Sequence, residues 1–166
     1  MRLLALMTVG IAALAASVSA FGQTGPPWGP EAPPFNAEII LRDVGGGAGF
    51  GHVKFRQPND AETTVYLETW VRDLAPNHNY LLQRAVDAIN NVDGTCASTS
   101  WLTLGRGPAL PPQPITTDEA GTGRELLWRT LPSPPGSRFD IHFRIIDAAT
   151  SEPVLESACY EFAVSG

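Results

Sequence analysis

Histidine and cysteine are scarce in this 166-residue chain, at three and two residues. So few ligands exclude a zinc framework built from two C-x-x-C pairs. Catalytic signatures are missing as well. There is no G-x-S-x-G elbow, no H-E-x-x-H, and no cysteine set beside a base, so the local patterns of serine, metallo- and thiol hydrolases are absent. Basic residues are outnumbered, 11 Lys and Arg against 17 Asp and Glu, which gives a net charge of −6. That balance argues against nucleic acid and anionic membrane surfaces as partners, because both reward clustered cations. Helical periodicity is absent too, apart from one possible stripe over residues 80–89. Beyond residue 20, charges or prolines interrupt every apolar run, so no later membrane span is expected.

What is present starts at the N-terminus. Arg2 precedes an uncharged, mostly apolar run from Leu3 to Ala16, and Val18-Ser19-Ala20 supplies small residues for a signal peptidase. This is the layout of a secretory signal peptide over residues 1–20. The run is shorter than the roughly 20 apolar residues that span a bilayer, which disfavours an uncleaved anchor. Phe21, where a lipid anchor needs cysteine, disfavours lipidation. The expected product is a secreted or periplasmic protein without membrane insertion. Cleavage leaves 166 − 20 = 146 residues and removes Arg2 but no acid, so the net charge moves from −6 to −7. One domain of this length buries about 68–70% of its unfolded surface and needs no metal to fold.

Residues 21–36 carry Pro26, Pro27, Pro30, Pro33 and Pro34 with Gly22, Gly25 and Gly29. Such a stretch makes few regular backbone hydrogen bonds and is expected to be an arm or linker, with Trp28 able to dock on the domain or a partner. The domain proper is expected over 37–166. Residues 37–43 form a β-rich run ending at Gly45-Gly46-Gly47. Gly51, Val53 and Phe55 alternate with His52, Lys54 and Arg56. Val65, Leu67, Thr69 and Val71 alternate with Tyr66, Glu68, Trp70 and Arg72. Further strands are predicted over 80–86, 101–104 and 124–131. The clearest alternation sets Phe139, Ile141, Phe143 and Ile145 against Asp140, His142 and Arg144, and a last strand is expected over 154–164. Seven or eight short strands punctuated by turns predict a single all-β, antiparallel sandwich.

An exported chain with two cysteines and no C-x-x-C most often pairs them, which predicts a Cys96–Cys159 disulfide. Several turns add a resemblance. Asp73-Leu74-Ala75-Pro76-Asn77 with Tyr80 beyond, then Cys96, and Thr117-Asp118-Glu119-Ala120-Gly121-Thr122-Gly123 before an apolar strand, are similar to turns in small secreted bacterial immunoglobulin-like β-sandwich domains. The likeness covers roughly residues 37–164. It implies an immunoglobulin-like sandwich and carries over no functional residue. Gly49-Phe50-Gly51-His52-Val53 is similar to the metal-binding strand of copper–zinc superoxide dismutases, but the His-x-His pair is missing.

Candidate sites follow from residue chemistry. His52 and His142 occupy outward strand positions and could share an ion with a carboxylate, whereas surface histidine is the plainer alternative. Asp87, Asn90, Asn91, Asp93 and Gly94 crowd one loop with oxygen ligands. An EF-hand register fails there, because it would put Ile89 first and Ser100 twelfth. No cofactor is expected. Tyr66 and Trp70 share one face of a strand and could anchor a protein or glycan, or cover a second sheet or the arm. The expected function is a non-catalytic exported binding or structural module. The alternative is a small extracellular metal protein or hydrolase using His52, His142 and loop carboxylates.

Overall fold

The computed structural model describes residues 35–58, 62–108 and 110–165. The expected signal peptide and residues 21–34 of the arm lie outside the described residues. The described residues form ten strands: β1 (Phe35–Asp43), β2 (Phe50–Gln57), β3 (Thr64–Arg72), β4 (Asn79–Val86), β5 (Leu102–Thr103), β6 (Ile115–Thr116), β7 (Gly123–Thr130), β8 (Arg138–Asp147), β9 (Pro153–Ser157) and β10 (Tyr160–Ala163). They make one antiparallel sheet in the order β5-β4-β8-β9-β1-β2-β3-β7, with β10 added to β8 and β6 to β4. The sheet curls into a half-barrel. The class is therefore all-β and antiparallel, as the alternations predict.

The curl follows from β9. Arg42 and Glu156 pair on one side of it, and Arg144 and Glu156 pair on the other, so this strand joins β1 to β8. Leu155 at its centre is fully buried. Gly51 of β2 leaves room for it, since a Cβ there would lie 3.0 Å from Leu155 Cδ1 and 3.2 Å from Leu41 Cβ. The concave face collects Ile39, Leu41, Val53, Leu67, Leu82, Leu127 and Ile145, all essentially solvent-free. Across the curl, Phe55 of β2 meets Phe162 of β10 edge-on at 4.9 Å and Phe143 of β8 at 6.1 Å. Such pairs add roughly 0.5–1.5 kcal/mol beyond the area they bury.

Four details differ from the sequence expectation. β1 begins at Phe35, two residues before the predicted strand. β6 directly follows the proline-rich stretch of Pro108, Pro111, Pro112 and Pro114, and its two residues are too few to leave a periodic signal. The predicted last strand is two strands, interrupted at Ala158-Cys159. There Ser157 Oγ accepts the Phe143 N–H at 2.9 Å and donates to the Ala158 carbonyl at 2.7 Å, so a side chain replaces the regular ladder. The possible helix over 80–89 is largely strand β4. Tyr80 and Leu82 are buried on one face and Gln83 and Ala85 on the other, which blurs the period-two pattern.

Leu155→Ala is expected to lower unfolding free energy by about 2–5 kcal/mol, the range for a buried leucine. Urea unfolding checks this. A change below about 1 kcal/mol would show that β9 is not needed to hold the curl.

Candidate functional site

The two outer faces of the curled sheet are unlike each other. Over β4 and β8, residues 87–101 lie down on the sheet and hold there through the very residues that looked like ligands. Asp87 accepts the backbone N–H groups of Ala97 and Ser98 at 3.0 and 2.8 Å. Asp93 Oδ1 accepts the Thr95 N–H at 2.8 Å, closing its own turn. Asp140, fully buried, takes the N–H groups of Asp93 and Gly94 on Oδ2, both at 2.9 Å. His142 Nε2 lies 3.0 Å from the Ser98 carbonyl, and its ring rests on Trp101 at 4.6 Å. Arg144 covers that indole from 4.1 Å. The Cys96–Cys159 disulfide then pins the loop to the gap between β9 and β10, with Cα atoms 5.4 Å apart.

His52 is elsewhere. On β2 it faces Trp70 of β3 and pairs with Glu38 of β1. In sheet order two strands, β9 and β1, separate it from β8 and His142, so the histidines stand about 14 Å apart along the sheet. His78, in the turn before β4, bonds Asp147 at 2.7 Å. Among the described residues, no group of three or more His, Cys, Asp or Glu is placed to hold a metal ion.

On the face of β1, β2, β3 and β7, no loop among the described residues covers Tyr66 or Trp70. The rows of that face run across the strands as Ile40, His52, Trp70 and Arg124, then Glu38, Lys54, Glu68 and Leu126, then Asn36, Arg56, Tyr66 and Trp128. Trp70 is 37% exposed and Tyr66 36%, so the described residues leave both aromatics open. Trp70 leans its edge on Phe50 at 6.2 Å, and Phe50 sits between Arg42 and Arg72 at 5.1 and 4.8 Å. Glu68 pairs with Arg124. Beside Trp70 opens a trench of about 820 Å³, floored by His52, Lys54 and Glu68 and walled by Thr117, Asp118 and Thr122. Tyr66 does not line it, lying four residues along the same strand.

The turn over 117–123, which walls the trench, interlocks with the turn over 73–77; both carried the resemblance. Leu74 N–H donates to the Gly121 carbonyl at 3.3 Å and Asn77 N–H to the Asp118 carbonyl at 3.1 Å. Thr117 Oγ1 donates to the Ala75 carbonyl at 2.7 Å and accepts the His78 N–H at 3.0 Å. Tyr80 Oη accepts the Ala75 N–H at 3.1 Å, and burial raises its pKa. Gly121 has φ +73°, and a Cβ there would fall 2.1 Å from the Leu74 carbonyl oxygen, so only glycine fits this contact. Asp118 Oδ1 accepts the Ala120 and Thr122 N–H groups at 2.9 Å each. Asp140 and this interlock were not singled out from sequence as site-forming elements.

No protein-family model matches the chain, and no curated protein does.

Two outcomes are expected. Backbone donation from Ala97, then Ser98, holds the Asp87 carboxyl below its ordinary pKa. A depressed folded pKa means its stabilisation is present above the carboxylate range and lost as pH falls through it. The protection factors of the Ala97 and Ser98 amides, relative to intrinsic exchange, are therefore predicted to be high near neutrality and to fall below about pH 4, and Asp87→Asn should remove that acid step. Protection unchanged down to pH 2 would contradict the assignment. Reducing the disulfide, which closes a separation of 63 residues, is expected to lower stability by about 4 kcal/mol in urea titrations.

Proposed function

We propose that this chain is an exported, non-catalytic binding module whose ligand is a glycan seated in the Trp70 trench. In this proposal residues 1–20 are a cleaved signal peptide, the proline-rich arm precedes the domain, and the two halves of the curled sheet act as an immunoglobulin-like sandwich. The compartment is periplasmic or extracellular. A disulfide suits such an oxidising compartment, and no helix among the described residues is long and apolar enough to cross a membrane.

The observation that carries the proposal is Trp70 itself, a large ring left open on a sheet face beside a trench with both donors and acceptors. An exposed indole offers a flat apolar surface that a sugar's C–H face can cover, while its edge remains polar. Around it, Lys54 and Arg124 donate, Glu68 and Asp118 accept, and the hydroxyls of Thr116 and Thr122 can do either. Adjacent sugar hydroxyls need that mixture. The opposite outer face offers no comparable surface, because the stapled loop occupies it.

A glycan array followed by calorimetry with the bound sugar tests the proposal. Trp70→Ala should weaken binding by about tenfold to a hundredfold and leave thermal stability almost unchanged, since the ring is exposed. Tyr66→Ala should retain binding. A blank array, or a Trp70→Ala variant that binds as well as the parent, would overturn it.

A further inference from the structure

Strand alternation puts two arginines on the concave side of the half-barrel. Arg84 stands between Leu82 and Val86 on β4, and Arg129 follows Leu127 on β7. Their neighbours at the same parity are core residues, Leu82 and Leu127 being solvent-free. Both arginines line an apolar cavity of about 150 Å³ with Phe55, Val65, Ile141 and Phe143. Among the described residues, no aspartate or glutamate lines it. Among the described residues neither arginine belongs to an ion pair. Arg129 Nε is closed off from solvent and has no hydrogen-bond partner.

That arrangement is unfavourable as it stands. A buried donor without a partner costs about 1–3 kcal/mol, more when it is charged. Burial, and after it the like charge on Arg129, hold the Arg84 guanidinium below its ordinary pKa. An anion between them would relieve both penalties. Guanidinium groups match a carboxylate with two parallel hydrogen bonds, and the cavity's other lining side chains, Ser133 apart, are hydrocarbon. Its volume suits a small apolar group, since an apolar cavity of about 150 Å³ holds one benzene ring. Exposed Ile89 and Pro132 line the same cavity, giving an entering ligand a rim of apolar contact.

We propose that this cavity binds a free monocarboxylate bearing a short alkyl chain or single ring, its carboxylate held between Arg84 and Arg129 and its hydrocarbon against Phe55 and Phe143. The site is separate from the Trp70 trench, with which it shares no lining residue, and the proposal stands whether or not a glycan binds there. Inward charges can also serve to discourage pairing at a sheet edge. In that case the arginines would show no preference for a carboxylate.

Calorimetry and methyl NMR on the oxidised full chain, with octanoate as probe and octan-1-ol and acetate as controls, separate these cases. Octanoate should saturate one site, bind at least about tenfold tighter than either control, and shift the methyl resonances of Val65, Leu131 and Ile141. In Arg84→Met/Arg129→Met the preference for octanoate over octan-1-ol should vanish. The methyl shifts in the unaltered protein decide the matter if the double variant does not fold. Octanoate binding no tighter than octan-1-ol, or leaving those methyls unmoved, would overturn the proposal.

Discussion

Strand β9 is the element on which the rest of the architecture depends. Five residues long, it is hydrogen-bonded to β1 on one side and β8 on the other. Without it the chain would present two separate groups of strands, each with an exposed edge open to mispairing. With it, both groups share one ladder, and the concave surfaces close on each other through Leu155, Leu41 and Ile145. Gly51 makes the close approach possible because any side chain there would meet Leu155. The aromatic contacts of Phe55 with Phe143 and Phe162 depend on that closure, because β2 lies three steps from β8 in the sheet order.

Closure also separates three surfaces with different fates. The convex face of β4 and β8 is spent on the chain itself. Asp87, Asp140, His142 and the disulfide all hold residues 87–101 against it, so Ala85 and Gln83 become buried although alternation points them outward. The convex face of β1, β2, β3 and β7 carries no such cover among the described residues and keeps Tyr66 and Trp70 open. The concave surface is core except where Arg84 and Arg129 enter it. Ion pairs on the Trp70 face, such as Glu68 with Arg124, contribute little to stability at exposed positions. Their use is to set donors and acceptors beside the indole.

Much of this fold was legible in the chain. Phe139, Ile141, Phe143 and Ile145 announce β8 by period two, and Val53 with Phe55 announces β2. Those patterns reflect a local rule, which is that alternate side chains point to opposite faces. The disulfide was legible for another reason, since two cysteines in a chain expected to be exported leave one internal pairing. What was not legible depends on contacts between distant segments. No spacing shows that the turn at 74–77 locks into the turn at 117–123, or that Asp140 receives the N–H groups of a loop some 46 residues away. His142 looked like a ligand because its strand position is outward, while its role in receiving the loop depends on where that loop lands. The break at Ala158-Cys159 was hidden for the same reason: a serine hydroxyl replaces the ladder there only because β8 is alongside.

Residue-resolved hydrogen exchange across β9 and β1 in the native protein tests whether β9 holds the sheet closed. If β9 is the join that holds the sheet closed, the amides of Leu155, Glu156, Arg42 and Val44, which face across β8–β9 and β9–β1, should exchange only through global unfolding, with protection equal to that of β8. If β9 exchanged by local opening while β2, β3 and β8 stayed protected, the two halves would be stable without the join, contradicting the dependence of the fold on it.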